Sequence, residues 1–260
     1  MQWRLGVVGS PIAHSLSPTL HEAGLALAGL QGSSRRLEIV EAEASSLRDL
    51  MGASFDALSV TMPLKAAAAG LCDHLDERAA SLGVVNSLLW RDGQLWGAAS
   101  DGPGFIDALR GVFDVGVENF HVVVLGAGGA ARAIVDSLVL EGATSVSVHG
   151  RSGANVAKIV ARHRNVVDHN ILYRPVDLII NTTPVSSRAH DAAVIQGVTR
   201  DTIAIDITYD PVLSPWLALH ADLGCRHSNG LAMLAFTVTR QMNWWWNTTL
   251  DGAQLLKAVA

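Results

Sequence analysis

The sequence predicts an α/β fold, and three observations carry that prediction. Short apolar or β-branched runs recur along the chain, among them 122–125, 176–180 and 202–207. Segments of helical pattern separate these runs. One stretch, HVVVLGAGGAARAIVDSLVL from His121 to Leu140, passes directly from an apolar run through a glycine-rich turn into a helical pattern.

That stretch is the most informative. Consecutive apolar residues at 122–125 suit a strand buried on both faces of a parallel sheet. In the turn, Gly126 permits a tight reversal, Gly128 lets backbone approach a pyrophosphate, and Ala131 permits close packing of helix on strand. The amides that open the following helix face an anion. Strand, turn and helix together predict a dinucleotide-binding turn made of Gly126, Ala127, Gly128, Gly129 and Ala130.

Composition narrows the class. The 260 residues can bury a substantial core, in one large or two modest domains. Apolar content of 49% with 17% charge argues against disorder, and a net charge of −5 gives no basic footprint for nucleic acid. Cys72 and Cys225 form neither a metal spacing nor a disulfide framework, which suits a reducing compartment. No signal-type segment and no apolar run of about 18 residues is read in the sequence, so a cytoplasmic protein without a membrane partner is expected.

From the start, a strand at 4–9 ends in Ser10-Pro11-Ile12-Ala13-His14-Ser15-Leu16-Ser17-Pro18. Ser17 before Pro18 reads as a helix N-cap. The hydroxyls of Ser15 and Ser17 in one stiff loop equally suit a small carboxylate or a diol. A second strand is expected at 36–42, a helix capped by Ser45, and a third strand at 57–60. The third leads through Thr61-Met62-Pro63-Leu64 to Lys65 in the first turn of an alanine-rich helix. A cation there opposes the helix dipole, so Lys65 is either a tolerated surface lysine or a group placed for proton transfer.

Strands at 84–90 and 94–98 flank the hairpin signal Asp92-Gly93. Asn86 is an edge-strand residue or a donor–acceptor for a ligand hydroxyl. Asp101 caps the helix that starts with Gly102-Pro103-Gly104-Phe105, or orients Lys65.

These motifs carry a resemblance. The chain resembles the shikimate dehydrogenase family, NADP-dependent oxidoreductases of aromatic amino acid biosynthesis that interconvert 3-dehydroshikimate and shikimate. The resemblance rests on the loop 9–18, on Val60-Thr61-Met62-Pro63-Leu64-Lys65, Gly83-Val84-Val85-Asn86-Ser87 and Asp101-Gly102-Pro103-Gly104-Phe105. It continues through the glycine turn, Asn181-Thr182-Thr183-Pro184, Asp206-Ile207-Thr208-Tyr209-Asp210-Pro211 and Asn229-Gly230-Leu231-Ala232-Met233-Leu234, in the family's order.

The resemblance implies that Ser15 and Ser17 bind the substrate carboxylate. It implies that Thr61, Asn86, Asp101 and Tyr209 contact the ring hydroxyls, and that Lys65 is the general acid/base paired with Asp101. Glu77 matches a family position on the cofactor side, or is an exposed helix residue. Gly230 falls at a position near the nicotinamide, and Ile207 at a cofactor-binding position.

Three departures stand out. Ser59 replaces the usual Asn, Ala99-Ser100 replaces Asn-Thr, and Thr237 takes the place of a substrate-binding glutamine. They keep open a related quinate-type or other cyclic polyhydroxy-acid dehydrogenase, or a non-catalytic binding paralogue. The retained Lys65–Asp101 pair discriminates against the last of these.

The strand at 145–149 closes at Gly150-Arg151-Ser152, with no acid between 145 and 152. An acid there holds the ribose hydroxyl of NAD, whereas an arginine accommodates a 2′-phosphate. Arg151, helped by Ser152, therefore predicts NADP over NAD. Further strands at 176–180, 202–207 and near 225–226 precede a long helix from 231 toward 246 and a final one at 250–258. Adjacent Trp244, Trp245 and Trp246 point in different directions on a helix, so core packing is expected of them rather than one stacking platform.

The expected architecture is an N-terminal α/β substrate domain, 1–101 with 231–260, and a Rossmann-type domain at 102–230, with a cleft between. A small-molecule substrate, no metal, and a monomer or homodimer complete the expectation.

Overall fold

The structure, a computed structural model, describes residues 2–168, 175–184 and 197–259. The chain divides into two compact units, Met1–Asp107 with Leu234–Ala260, and Ala108–Met233.

In the first unit, β1 (Gln2–Gly9), β2 (Gln31–Glu38), β3 (Ala57–Val60), β4 (His74–Leu75), β5 (Ser87–Arg91) and β6 (Gln94–Ala98) form one sheet. The order is β2-β1-β3-β5-β6-β4. Helices α1 (Ser17–Leu27), α2 (Ser46–Leu50), α3 (Lys65–Ala69) and α4 (Glu77–Leu82) connect the strands, and α5 (Asp101–Phe113) follows the last of them. The β5–β6 hairpin turns at Asp92 and Gly93, whose φ values of 54° and 75° are those of the primed turn the Asp-Gly pair signals.

Two local expectations are corrected. The second strand occupies 31–38 rather than 36–42. Its parallel ladder with β1 runs from Gln2↔Gln31 to Gly9↔Glu38, and this pairing overrides the weak apolar signal of QGSSRRLE. Ser17 is the first residue of α1 and not its cap: Leu16 holds the N-cap position, and no side chain caps the helix. Ser45 does occupy an N-cap position but makes no capping hydrogen bond.

The second unit is an all-parallel sheet of β7 (His121–Leu125), β8 (Ser145–His149), β9 (Val166–Asp168), β10 (Leu178–Asn181), β11 (Ile203–Asp206) and β12 (Arg226–Ser228). Helices α6 (Gly129–Leu140), α7 (Gly153–Val160) and α8 (Pro215–Asp222) accompany it. The order β12-β11-β10-β7-β8-β9 is the doubly wound order, in which the strand order reverses between the first and fourth strands, here β7 and β10. Ligands bind at that switch point, beyond the strand C-termini. A separate core of Val123, Leu125, Ile179, Ala204, Trp216 and Leu217 supports this sheet.

The chain then runs into α9 (Gly230–Trp246) and α10 (Gly252–Val259). Val238, Met242 and Trp245 of α9 and Leu255 of α10 join Leu5, Leu20, Leu25, Ala57 and Leu89 in the core of the first unit. Trp245 is buried and donates its indole N–H to Ser87 Oγ at 2.8 Å, while Trp244 and Trp246 are partly buried against the same core. The three rings thus serve packing.

Candidate active site

The loop ends of the first sheet bring Lys65, Asn86 and Asp101 together. Lys65 begins α3 directly after β3, Asn86 precedes β5, and Asp101 begins α5 directly after β6. Lys65 Nζ donates to Asp101 Oδ2 at 2.5 Å, and Asn86 Nδ2 donates to Asp101 Oδ1 at 2.7 Å. The Asn86 side-chain oxygen accepts the Ser100 N–H at 2.7 Å and the Ser100 hydroxyl at 3.1 Å. Both faces of the Asn86 amide are thus used to set the start of α5. The side chains of Lys65 and Asp101 retain 18% and 15% of their exposure, so the pair is largely desolvated yet open to a ligand.

The two charges meet opposite helix fields. Asp101 lies at the positive end of α5, which favours a carboxylate, whereas Lys65 lies at the positive end of α3, which disfavours an ammonium. The ion pair offsets that penalty. A lysine so placed, beside a carboxylate with both oxygens engaged, can deliver a proton to a ligand oxygen and take it back.

Ser15 and Ser17 are both buried, and Ser15 Oγ lies 3.3 Å from Ser17 Oγ and from the Ser17 N–H. Arg36 supports the same loop by donating Nε to the Ser15 carbonyl at 2.8 Å. Thr61 is half-buried, with its N–H on the Val8 carbonyl at 2.9 Å. The Thr237 hydroxyl is enclosed with no hydrogen-bond partner, against the backbone of Gly104, where a side chain would collide with it. Glu77 is exposed at the start of α4, and Asp76, not Glu77, caps that helix through the Ala79 N–H at 2.6 Å.

In the second unit, the glycine turn sits at the switch point. Gly126 has φ +112°, and a side chain there would meet Thr182. Thr182 donates both its N–H and its hydroxyl to the Leu125 carbonyl at 2.7 Å, which joins the ends of β7 and β10. Gly128, the N-cap of α6, and Gly129 have open space where a side chain would stand. With half-buried Ala127 and Ala130 they leave a backbone surface that fits the pyrophosphate of a dinucleotide. Arg151 is exposed past the end of β8, and Ser152 caps α7 by accepting the Asn155 N–H at 3.3 Å. Arg162 faces Asp136 at 3.8 Å.

Gly230 is packed so closely on Ile207 that a Cβ would strike the Ile207 carbonyl, and its N–H donates to the Thr208 carbonyl at 2.9 Å. Tyr209 is half-buried in the same loop. Asp206 organises that loop by accepting from Thr208 N–H and hydroxyl, the Ser214 hydroxyl and the Asn181 amide. Among the described residues, no group of three or more His, Cys, Asp or Glu could hold a metal, and no helix is long and apolar enough to cross a membrane.

Three residues that support candidate site residues escaped the sequence reading: Arg36 behind Ser15, and His21 and Gln241 behind Ser59 and Asn86. The only signals were indirect. Gln241 falls one helical turn after Thr237 in α9, and His21 one turn after Ser17 in α1.

Known proteins resemble this chain over most of its length. Residues 7–88 match the family described as the shikimate dehydrogenase substrate binding domain. A shikimate dehydrogenase (NADP(+)) from an Exiguobacterium species is 36% identical over 234 residues, covering 88% of this chain and 87% of that protein. The crystal structure of shikimate 5-dehydrogenase from Thermus thermophilus in complex with NADP(H) and shikimate is 28% identical. It superposes with a TM-score of 0.88 over 99% of this chain and 98% of that one. A ligand-free 5-ketofructose reductase from a Gluconobacter species is 25% identical, with a TM-score of 0.85 over 99% of this chain and 98% of that one.

Proposed function

Because the chain belongs to the shikimate dehydrogenase family, we propose that it catalyses the reversible NADP-dependent interconversion of shikimate and 3-dehydroshikimate. The observation that carries this reading is the Lys65–Asp101 contact of 2.5 Å, with the second carboxylate oxygen held by Asn86. A protein that merely binds its ligand has no use for a largely desolvated lysine at the wrong end of a helix dipole.

In this reading, Lys65 carries the reaction's proton. During reduction its ammonium protonates the forming alkoxide, and during oxidation the amine takes the proton of the reacting hydroxyl. Asp101 orients Lys65 and accepts from the substrate, and Asn86 keeps Asp101 in place. Positioned acid–base groups of this kind contribute about 10²–10⁴-fold in rate. Ser15 and Ser17 are assigned to the substrate carboxylate, and Thr61, Asn86 and Tyr209 to ring hydroxyls. Thr237, at the position of the family's glutamine, is assigned to the substrate as well, through its enclosed hydroxyl. When bound, the nicotinamide supplies and accepts the hydride. Gly126 to Ala130 would hold its pyrophosphate, Arg151 and Ser152 the 2′-phosphate, and Ile207 and Gly230 would flank the nicotinamide end, with Glu77 on the cofactor side.

The same reading treats the first unit as the substrate domain and the second as the nucleotide domain. It places the enzyme in the cytoplasm, where NADP is available, as a monomer or homodimer. The test is a spectrophotometric assay of nicotinamide reduction with shikimate, quinate and each cofactor, and of nicotinamide oxidation with 5-ketofructose. Turnover of shikimate with NADP above all other pairs is expected. Faster turnover of quinate with NAD would overturn the assignment.

A further inference from the structure

The hydrogen-bonded system around Lys65 continues past Asn86 into the core. The Asn86 carbonyl accepts the Val60 N–H at 2.8 Å and also Nε2 of Gln241 at 2.8 Å. Gln241 Oε1 accepts the Ser59 hydroxyl at 2.5 Å. Ser59 Oγ lies 3.0 Å from His21 Nε2, and His21 Nδ1 lies 2.8 Å from Ser34 Oγ. Gln241, Ser59, His21 and Asn86 are all at most 5% exposed.

Chemistry gives this chain a single direction. A peptide carbonyl only accepts, so Gln241 must turn its NH₂ toward Asn86 and its oxygen toward Ser59. Ser59 spends its one proton on that oxygen, so it must accept from His21, and His21 Nε2 must carry the hydrogen. His21 Nδ1 is then an acceptor for the Ser34 hydroxyl. Burial pushes His21 down to about 3, which keeps the imidazole neutral and the direction fixed. The charged groups hydrogen-bonded into the chain are Lys65 and Asp101, joined at its far end through Asn86.

We propose that Gln241 is a positioning residue for the Lys65–Asp101 pair, acting through the backbone of Asn86. The proposal rests on the dehydrogenase reading of that pair. A buried amide costs stability unless both its ends are bonded, and an apolar side chain of similar length would join α9 to the sheet without that cost. What the amide adds is placement. Asn86 is held from one side by Ala98, which accepts its N–H at 3.0 Å, and from the other by Gln241. Its side chain passes that placement on to Ser100 and Asp101. Ser59, Gln241 and His21 thereby form one unit, in which the short Ser59 side chain is completed by the longer Gln241.

The test compares Gln241→Met, Gln241→Glu and Ser59→Ala with a packing control at the neighbouring core position, Met242→Leu. Gln241→Met and Ser59→Ala should lower kcat about 10-fold to 100-fold, the scale of a small misplacement of catalytic groups. KM for NADP should stay within about twofold of the parent, a bound set by the absence of any cofactor contact in the chain. Met242→Leu should change thermal stability and leave kcat unchanged. Gln241→Glu carries the sharpest readout. Its protonated carboxyl can donate to Asn86 and accept from Ser59 as the amide does, so its rate relative to the parent should fall with rising pH as the buried acid ionises. Rates for Gln241→Met equal to those of Met242→Leu, with a pH-independent ratio for Gln241→Glu, would overturn the proposal. Nitrogen NMR of the histidines needs no substrate. An Nε2–H tautomer for His21 supports the chain, and an Nδ1–H tautomer refutes it. A failure of the network is thereby separated from a failure of the dehydrogenase reading, which would show as absent shikimate turnover in the parent protein.

Discussion

Lys65 Nζ stands 2.5 Å from Asp101 Oδ2, and the two residues are the first residues of two different helices. Two loops, one after β3 and one after β6, therefore end at one point. Replacing Lys65 with Met should lower kcat by about 10²–10⁴-fold while leaving NADP affinity nearly intact, because proton transfer is lost and cofactor contacts are not. Steady-state kinetics with a cofactor titration checks this, and unchanged turnover would contradict the assigned role.

Arg151 should distinguish the two nicotinamide cofactors. Losing one charge-assisted contact to a phosphate costs about 1.5–3 kcal/mol, or roughly 10-fold to 100-fold in affinity. Arg151→Ala should weaken NADP by that factor and leave NAD unchanged, as read by fluorescence titration. An equal loss for both cofactors would remove the 2′-phosphate assignment.

Two glycines of the second unit should respond in opposite ways. A methyl on Gly230 would press into the backbone of Ile207, which cannot yield as a side-chain tip can, so Gly230→Ala should cost roughly 1–3 kcal/mol in denaturant unfolding. A methyl on Gly129 meets nothing within 4 Å, so Gly129→Ala should be stable or slightly stabilised. Its KM for NADP should nevertheless rise, because the methyl occupies the surface that the pyrophosphate approaches. Matching stability losses in the two variants would contradict the packing described for Gly230.

His21 should make the fold sensitive to acid. Its pKa is lowered by burial from 6.5 to about 3, so between those values the unfolded chain binds a proton that the folded chain does not. Stability is therefore complete above about pH 6.5 and falls as pH drops toward about 3, by about 1.4 kcal/mol per pH unit from this group. Urea unfolding of the parent and of His21→Gln across that range should show a shallower pH dependence in the variant. Parallel curves would mean that His21 titrates normally in the folded protein.

Much of this was legible from local chemistry. The glycine turn and its helix, the Asp-Gly hairpin and the strand at 57–60 each follow from backbone demands that neighbouring residues reveal. Lys65 announced itself by standing at the unfavourable end of a helix. The second strand was misplaced because QGSSRRLE has little apolar character of its own, and its position comes from pairing with β1. Ser17 looked like a cap because Pro18 follows it, yet the loop enters α1 one residue earlier.

By itself the sequence determined the α/β class, the strand–glycine turn–helix unit and which residues are candidates for the site, because these depend on spacing of a few residues and on side-chain chemistry. The tertiary structure decided which distant residues share a hydrogen bond: Lys65 with Asp101, and Gln241 with Ser59 and Asn86 across 182 and 155 positions of chain. Such pairings depend on how strands order themselves in a sheet and which helix face turns inward. Those choices are made by the whole core burying its apolar surface, and no local stretch records them.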